Sequence, residues 1–282
     1  MPKPKPKPKP KQKRKAARAS MADRADRHLL YEASVQDTAA ELEFVSETFE
    51  ALTGRRLVSL REDFCGTTNT ACAWVRSGSD HQAIAVDLDA DVLAWGRAYH
   101  VAALSARQST RLAIIEGDVL EVETEPVDAV LAMNFSYYLF TSRDWLRSYF
   151  KRARAALVDD GILFLDAFGG YDAHRELEER TEYDDFTYVW DQASFDPINH
   201  FMTCRIHFEF PDGSELQSAF EYHWRLWTLP EIRELLLEAG FSSATVYWEG
   251  TDEETGEGDG IYSPSESGDA DAGWICYIIA RR

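Results

Sequence analysis

The sequence is poor in several features that would assign it to common classes of protein. It has only four cysteines, Cys65, Cys72, Cys204 and Cys276, and no two of them form a CxxC pair. Disulfide scaffolds and zinc sites show closer, repeated spacings, so we expect reduced thiols and no metal site. No segment approaches the roughly 20 apolar residues that a membrane-spanning helix requires. The N-terminus has no apolar stretch behind its charges, so we expect a cytoplasmic protein without a secretory signal or membrane contact.

The glycine-rich GxGxxG segment of many dinucleotide-binding proteins is also absent. In those proteins the segment forms the tight turn that holds the pyrophosphate of NAD. Its absence argues against a nicotinamide-dependent oxidoreductase, which stays open as an alternative beside a non-enzymatic nucleotide-binding module.

Acidic residues are missing from the first 20 positions, which contain seven lysines and two arginines and include five Pro-Lys repeats. The other 262 residues carry 21 basic and 49 acidic side chains, a net charge of −28. Frequent proline and like charges prevent independent folding, so a disordered tail is predicted. Because nucleic acids are bound through cationic contacts, only this tail is suited to them.

Apolar runs that alternate with helical periodicity predict a parallel α/β sheet. Such alternation indicates βαβ units. A helix is predicted over residues 26–52, before the first strand. The five predicted strands lie at residues 57–60, 83–86, 111–116, 127–133 and 162–165, the last ending at Asp166.

After the fifth strand the pattern changes to β-strands with few helical signals between them. Strands are predicted at 186–190, 201–210 and 216–226, with a turn at 210–214 that contains Pro, Asp and Gly. Thr228 followed by Leu-Pro predicts the start of a helix, and strands at 244–248 and 274–280 close the chain. The fold class that follows is α/β: a Rossmann-like, seven-stranded, mostly parallel sheet with an inserted antiparallel β-sheet lid.

Polar or glycine-containing clusters follow each of the first five strands. Ligands of parallel sheets bind beyond the carboxyl ends of the strands, so these clusters should line one crevice. Asp87, after the second strand, could accept hydrogen bonds from ribose hydroxyls, although Asp in this place is also a common helix cap. Gly66 permits close approach of the backbone to a ligand. A nucleoside without phosphates fits this crevice best, and S-adenosylmethionine is such a ligand.

Four segments resemble, in order and spacing, the motifs of class I S-adenosylmethionine-dependent methyltransferases. They are Glu62-Asp-Phe-Cys-Gly-Thr-Thr, Val86-Asp-Leu-Asp, Glu116-Gly-Asp-Val and Asn134-Phe-Ser-Tyr. The resemblance spans about residues 30–282. It departs from the family at the first turn, where only Gly66 is kept and Phe64 and Thr68 stand at the two other glycine positions. The last segment also resembles the Asn-Pro-Pro-Tyr motif of enzymes that methylate amino groups of DNA and protein glutamine, without its prolines.

The resemblance implies roles for ten residues in binding S-adenosylmethionine. Glu62 would face the methionine portion, Asp87 the ribose, Asp118 the adenine amino group, and Asn134 the sulfonium. The full set is Glu62, Cys65, Gly66, Thr67, Asp87, Leu88, Asp118, Val119, Asn134 and Phe135. Replacing Asp87 with Ala is expected to weaken cofactor binding and to change stability little, because the end of a strand is exposed.

The inserted sheet resembles the lids of small-molecule N-methyltransferases, such as those acting on sugar amines and glycine. Its aromatic and basic residues fit two interpretations, packing of a core or a wall that faces the substrate. They are Tyr188, Trp190, His207, Tyr222, His223, Trp224, Arg225 and Trp227. A general base is needed only if the acceptor arrives protonated. Tyr31, Tyr137 and His223 are candidates, and no catalytic residue is assigned.

These inferences divide the chain into four segments. They are a disordered basic Pro/Lys tail (1–24), a core that binds S-adenosylmethionine (25–170), the β lid (171–227) and the completion of the core sheet (228–282). The predicted function is methyl transfer to an unidentified small-molecule acceptor, and the alternative is an RNA- or protein-directed methyltransferase guided by the tail. The acidic stretch 249–273 is predicted to be a loop, either a solvated surface or a feature that attracts a cationic substrate. The oligomeric state is left open.

Overall fold

The computed structural model describes residues 19–252, 254–256 and 258–282. The predicted disorder of the Pro-Lys repeat therefore lies outside the described residues. Residues 21–24, which the sequence places in the tail, instead form helix α1 (Met21–Arg24). The side chain of Ser20 accepts a hydrogen bond from the backbone of Asp23, whose side chain accepts one from the backbone of Ser20. This reciprocal cap, which the tail prediction missed, orders the start of the helix.

The predicted helix over residues 26–52 is two helices, α2 (Arg27–Val35) and α3 (Thr38–Thr53). The helical conformation is interrupted at Gln36 and Asp37. The carboxylate of Asp37 accepts a hydrogen bond from the backbone of Ala40 and so caps α3. The later helices are α4 (Asn69–Ser77), α5 (Ala90–Tyr99), α6 (Ala106–Ser109), α7 (Arg143–Ala155) and α8 (Leu229–Glu238). As predicted, Thr228 caps α8, with Glu231 completing a capping box.

Five parallel strands form the core of the large sheet, as the sequence predicts. They are β1 (Ser59–Asp63), β2 (Gln82–Asp87), β3 (Leu112–Glu116), β4 (Val127–Ala132) and β5 (Leu157–Gly169). The predicted end of the fifth strand at Asp166 is wrong. The strand continues to Gly169 because Ala167, Phe168 and Gly169 still pair with a later strand of the sheet.

The lid is an antiparallel sheet of four strands in the order β6-β7-β8-β9. The strands are β6 (Leu177–Glu182), β7 (Thr187–Phe195), β8 (Phe201–Glu209) and β9 (Glu215–Arg225). The sequence predicts the last three and misses β6. That strand reads Leu-Glu-Glu-Arg-Thr-Glu and is largely exposed, so it lacks the apolar alternation by which strands are recognised.

Three strands at the C-terminus complete the large sheet: β10 (Ser243–Thr251), β11 (Gly258–Ser265) and β12 (Trp274–Arg281). The order of the sheet is β11-β10-β12-β5-β4-β1-β2-β3, so it has eight strands rather than the predicted seven. The extra strand is β11, which lies in the stretch predicted to be a loop and pairs antiparallel with β10. Its glycines and Pro264 resemble a turn in sequence, but an edge strand tolerates both.

Two apolar clusters cover the two faces of the large sheet. One packs α7 and α8 against residues such as Val130, Leu163 and Ile278. The other packs α3 and α4 against Leu60 and Phe164. Among the described helices, none combines the length and the apolar composition that crossing a membrane requires. The layers leave the carboxyl ends of the parallel strands open toward the lid.

Candidate active site

The carboxyl ends of β1, β2 and β4 meet near the middle of the large sheet. β1 pairs with β2 on one side and with β4 on the other, so the chain changes direction across the sheet at this point. Such a switch point leaves a crevice beyond the strands. A cavity of about 360 Å³, the central cavity, opens there. Six of the ten predicted cofactor-binding residues line it: Glu62, Cys65, Gly66, Thr67, Asp87 and Asn134.

The turn after β1 has a glycine-like backbone, although only one of the three residues concerned is glycine. Phe64, Gly66 and Thr68 all have positive φ angles, of 57°, 51° and 63°. Two of these residues are not glycine, and non-glycine residues rarely adopt this conformation. Phe64 is held by ring contacts to Phe140 and Tyr149. The two departures from the family's glycine pattern therefore stand at positions where the backbone has the positive φ that glycine readily adopts.

Asp87 holds this turn in place. One of its carboxylate oxygens accepts a hydrogen bond from the backbone of Gly66 at 2.8 Å, and the other accepts one from the backbone of Asp89 at 2.9 Å. The sequence-based expectation that Asp87→Ala changes stability little did not include these two hydrogen bonds. Because both bonds disappear in Asp87→Ala, we now expect a lower free energy of unfolding, by about 1–2 kcal/mol, as well as weaker ligand binding. Chemical denaturation and ligand titration of the same variant measure the two effects.

Glu62 is a nine-tenths-buried acid at the end of β1. Its carboxylate accepts a hydrogen bond at 2.9 Å from the backbone of Ala71, in the first turn of α4. Burial raises the pKa of Glu62 to about 8, and the nearby carboxylates of Asp87 and Asp63 add to this effect. Glu62 therefore readily takes up a proton unless a positive group lies next to it.

The turn after β4 is fixed from the neighbouring strand. Asn134 and Phe135 both have positive φ angles, of 57° and 56°. Their backbone N–H groups donate to the two carboxylate oxygens of Asp166, at 2.7 and 2.8 Å. Burial raises the pKa of Asp166 to about 7, while these two hydrogen bonds lower it. Asp166 is a site residue that sequence reasoning missed, although an acid at the predicted end of a strand was a visible signal.

A second, more apolar cavity adjoins the central one on the side of β2 and β3. This side cavity, of about 580 Å³, shares Phe64, Asp87 and Leu139 with the central cavity. Three more of the predicted residues, Leu88, Asp118 and Val119, line it. Asp118 accepts a hydrogen bond from the backbone of Leu120 at 2.9 Å. The side cavity offers a largely apolar space next to the acid at the end of β2.

Helix α2 covers the central cavity, which no sequence motif indicated. His28, Tyr31 and Gln36 reach the cavity from this helix and its end. The carboxylate of Glu32 ties the helix to the core, since it accepts hydrogen bonds from the hydroxyl of Thr67 and from His100, the latter at 2.7 Å. The two ends of the covering segment are tied to α5 and α4: Trp95 donates to Asp26 at 2.8 Å, and Asn69 donates to Gln36 at 3.1 Å.

A third cavity, the lid cavity, lies between the large sheet and the lid and has a volume of about 540 Å³. Nine aromatic side chains line it: Tyr31, Phe135, Phe168, Tyr188, Trp190, Tyr222, Trp224, Tyr262 and Trp274. Three carboxylates, Asp172, Glu179 and Glu249, line it too, and no Lys, Arg or His does among the described residues. Phe135, the tenth predicted residue, lies here. Tyr31, Asn134, Tyr222 and Trp224 line both this cavity and the central one.

The aromatic residues of the lid divide between the two predicted interpretations. Four of those singled out in the sequence face the lid cavity: Tyr188, Trp190, Tyr222 and Trp224. Trp227, by contrast, is 1% exposed and donates from its indole to the backbone of Phe140. His207 makes hydrogen bonds within the lid, to Asp191 and from the backbone of Ser218. These two residues have structural roles.

The candidate bases differ in their access to the cavities. Tyr137 is wrong as a candidate: it is fully buried, and its hydroxyl donates to the backbone carbonyl of Asp166 at 2.7 Å. His223 lines the central cavity with an exposed side chain that contacts Glu221 at 3.2 Å. Tyr31 reaches both cavities, but burial raises its pKa to about 12, so it keeps its proton at neutral pH.

The large sheet with its lid is shared with solved structures. A S-adenosylmethionine-dependent methyltransferase from Clostridium acetobutylicum superposes with a TM-score of 0.65 at 15% identity, over 90% of this chain and 96% of that one. The amino pentose methyltransferase CalS10 from Micromonospora echinaspora gives 0.63 at 15% identity, over 90% and 95% of the two chains. The sugar N-methyltransferase KedS8 from a Streptoalloteichus species gives 0.60 at 17% identity, over 92% and 93%. This chain has the methyltransferase fold.

No protein-family profile matches the sequence, and no curated protein is similar to it at a significant level. The superposed structures confirm the predicted resemblance to class I methyltransferases for the fold, over nearly the whole chain. The methyltransferase fold includes the lid, because the superposed chains are covered almost completely. The ten residues predicted to bind the cofactor stay a prediction, which their positions in three adjoining cavities support.

Proposed function

We propose that this chain transfers a methyl group from S-adenosylmethionine to the nitrogen of a small-molecule amine. The observation that carries the proposal is the meeting of two chemically different cavities at Tyr31, Asn134, Tyr222 and Trp224. Methyl transfer requires that a donor and an acceptor be held end to end, and orientation supplies much of the rate. The central and lid cavities are suited to the two partners.

The residues of the central and side cavities fit S-adenosylmethionine. Asp87 would accept from the ribose hydroxyls, and the apolar side cavity beside it suits adenine. Glu62 lies where the positively charged methionine portion would be. The bound cofactor would supply an electrophilic methyl carbon on a sulfonium, which needs no activation by the protein.

The same residues fit NAD poorly. A pyrophosphate would lie at the turn between β1 and α4, where backbone amides and positive charge would be required. Here that turn is flanked by the carboxylates of Glu62 and Asp87, and the amide of Gly66 already donates to Asp87. Electrostatic repulsion therefore disfavours the oxidoreductase alternative.

The lid cavity suits a cation. Aromatic faces attract ammonium groups, Trp most strongly. Three carboxylates line the cavity; Asp172 is paired with Arg175 at 2.9 Å, which leaves Glu179 and Glu249 without a basic partner among the described residues. The superposed proteins include an amino pentose methyltransferase and a sugar N-methyltransferase, which supports an amine as the acceptor here. The enclosure by the lid and α2 favours a small molecule over RNA or a protein.

The chain's own residues would orient the reactants and exclude water. Burial raises the pKa values of Tyr31 and Tyr222, so both hydroxyls stay protonated and can hydrogen-bond the acceptor. An amine must be neutral to attack, so an acceptor that enters as an ammonium gives up a proton to water before methyl transfer. The carboxylates of the lid cavity would hold it during approach, while Asp166 keeps the Asn134 turn rigid at the point of transfer.

Calorimetric titration with S-adenosylmethionine, S-adenosylhomocysteine and NAD tests the cofactor. We expect binding of the first two and none of the third. A panel of amino sugars, amino acids and other amines, incubated with S-adenosylmethionine and followed by mass spectrometry, then tests the acceptor.

The control panel contains the matching alcohols, in which a hydroxyl replaces the amine. Methylation of amines but not of alcohols is the expected result. Binding of NAD without S-adenosylmethionine would contradict the proposed reaction, and methylation of the alcohols alone would contradict the proposed acceptor.

A further inference from the structure

The central cavity contains a carboxylate to which neither the sequence nor the fold assigns a role. Glu41 lies in the first turn of α3 and lines the cavity together with Glu62. Its helix is fixed by the buried side chains of Leu42, Val45 and Phe49. Among the residues that the structure describes, none donates a hydrogen bond to the Glu41 carboxylate or forms an ion pair with it.

Glu41 is surrounded by other acidic groups. Burial raises its pKa well above the ordinary value, and the negative charges of Glu62 on β1, Asp166 on β5 and Asp37 at the start of α3 raise it further. Tyr31 on α2 and Tyr277 on β12 also interact electrostatically with it. The basic side chains in the described lining of the cavity are His28 and His223. A buried carboxylate beside another is costly unless one is protonated or a cation lies between them.

The neighbouring acids already have partners. Asp166 uses both oxygens on the backbone of Asn134 and Phe135, and Asp87 uses both on Gly66 and Asp89. Glu62 accepts from the backbone of Ala71. Glu62 also accepts from the hydroxyl of Thr70, but a carboxylate has about four acceptor positions, so it can accept a further bond, as can Asp87. The proposed function assigns Asp87 to the ribose hydroxyls, so Glu41 and Glu62 are the acids left to bind a further donor in the cavity.

We infer that Glu41 and Glu62 together bind the α-ammonium group of S-adenosylmethionine, an inference that rests on the proposed function. An ammonium has three donors and no acceptor, so it can bond both carboxylates at once. Each contact is a charge-assisted hydrogen bond, and the cation removes the repulsion between the two acids. The pair thus recognises the amino-acid end of the cofactor and not its nucleoside.

Two ligands and two variants test the role of Glu41. S-adenosylhomocysteine carries the ammonium, whereas 5′-methylthioadenosine has the same nucleoside and thioether without the amino-acid group. Glu41→Gln removes the charge and keeps the shape, and Glu43→Gln is the matched control, because Glu43 is exposed on the same helix. Calorimetry should show that Glu41→Gln weakens binding of S-adenosylhomocysteine by about tenfold to a hundredfold and leaves 5′-methylthioadenosine unchanged. Glu43→Gln should change neither.

A measurement on the unaltered protein avoids any effect of the substitution on folding. The ammonium favours the ionised acids, so its binding should displace protons that Glu41 and Glu62 hold in its absence. Calorimetry at neutral pH in buffers of different ionisation enthalpy counts these protons. Release is expected with S-adenosylhomocysteine and not with 5′-methylthioadenosine, and affinity for the first ligand alone should rise with pH.

The outcomes separate this inference from the proposed function. If the protein binds neither nucleoside, the proposed function fails and the inference fails with it. If it binds both, and Glu41→Gln changes neither affinity or lowers both equally, the role of Glu41 is wrong while the function stands. Equal proton release with the two ligands would also overturn the inference.

Discussion

Asp166 connects the large sheet to the point where the central and lid cavities meet. Its two carboxylate oxygens accept hydrogen bonds from the N–H groups of Asn134 and Phe135, which are held in a left-handed backbone conformation that a residue such as Phe rarely adopts. The side chain is buried within β5. One residue thus determines where two others lie, although it need not touch a ligand itself.

Asp166→Asn should disturb this turn. The amide places an NH₂ group against a backbone N–H, so one hydrogen bond is lost and two donors face each other. We expect the free energy of unfolding to fall by about 1–3 kcal/mol and the rate of methyl transfer to fall more than the affinity for S-adenosylhomocysteine. Asp159→Asn, at an exposed position of the same strand, is the control and should behave like the unaltered protein. Loss of cofactor affinity with an intact rate would contradict the positioning role.

Glu62→Gln tests the cost of a buried acid. The pKa of Glu62 in the folded protein is about 8, above the roughly 4.3 of an unfolded chain. The folded state therefore holds the proton more tightly, and the contribution of Glu62 to stability is lost as the pH rises from about 4.3 to 8. Without ligand, urea denaturation should show that the unaltered protein loses about 1–3 kcal/mol more than Glu62→Gln between pH 5.5 and pH 8. His28 and His81, whose pKa values are lowered by burial, are present in both proteins and cancel in the comparison.

The turn between β1 and α4 is an element whose backbone matters more than most of its side chains. Gly66 has a φ of +51°, and a Cβ added to it would meet no atom within 4 Å. The added atom would therefore reach into the central cavity without a clash in the empty protein. A substitution of Gly66 can therefore show its effect on the free energy of unfolding separately from its effect on ligand affinity.

Gly66→Ala should lower the free energy of unfolding by only about 1–2 kcal/mol, the cost of a left-handed residue with a side chain, but should weaken cofactor binding by at least tenfold. Gly54→Ala is a close control: Gly54 has a φ of +75°, also has no atom near an added Cβ, and ends α3 away from the cavities. Denaturation should give similar losses for the two variants, and titration should show weaker binding for Gly66→Ala alone. Equal affinities would mean that the turn does not contact the ligand.

At the scale of elements, the parallel strands were predictable because each is a short apolar run between helical segments. The cluster of Glu62, Gly66, Asp87 and Asn134 was predictable too, because the carboxyl ends of neighbouring parallel strands lie at the same edge of the sheet. Strands β6 and β11 were missed because they lie at sheet edges and carry exposed, polar or turn-forming residues. Glu41 and Tyr31 were not assigned to the cofactor cavity, since only the packing of α2 and α3 over the strand ends brings them there.

At the scale of the whole molecule, the segment of α1 and α2 joins the core to the lid. The backbone of Met21 donates to Asp212 in the lid turn, at 2.8 Å, and Arg27 lies over the ring of Phe220. On the other side Glu32 binds Thr67 and His100 of the core. The segment therefore covers the central cavity and also links the lid to the large sheet.

Glu32→Gln should loosen this cover. The amide loses the charge that faces His100, and it cannot accept both hydrogen bonds as strongly. We expect S-adenosylhomocysteine to dissociate several-fold faster, with a smaller change in its association rate, as measured by stopped-flow fluorescence. Glu47→Gln, on the exposed face of α3, should leave both rates unchanged. An unaltered dissociation rate in Glu32→Gln would mean that the ligand leaves by another route.

The wall shared by the central and lid cavities has a consequence for inhibition. Among the described residues, Tyr31, Asn134, Tyr222 and Trp224 line both spaces, so a nucleoside in one and an amine in the other would lie on either side of this shared wall. A single compound that joins the two through a short tether would reach both spaces without moving the lid. Its second half would bind as if present at a millimolar effective concentration. Such a tethered compound should be held far more tightly than either fragment, and the tether length that binds best would measure the distance over which the methyl group travels.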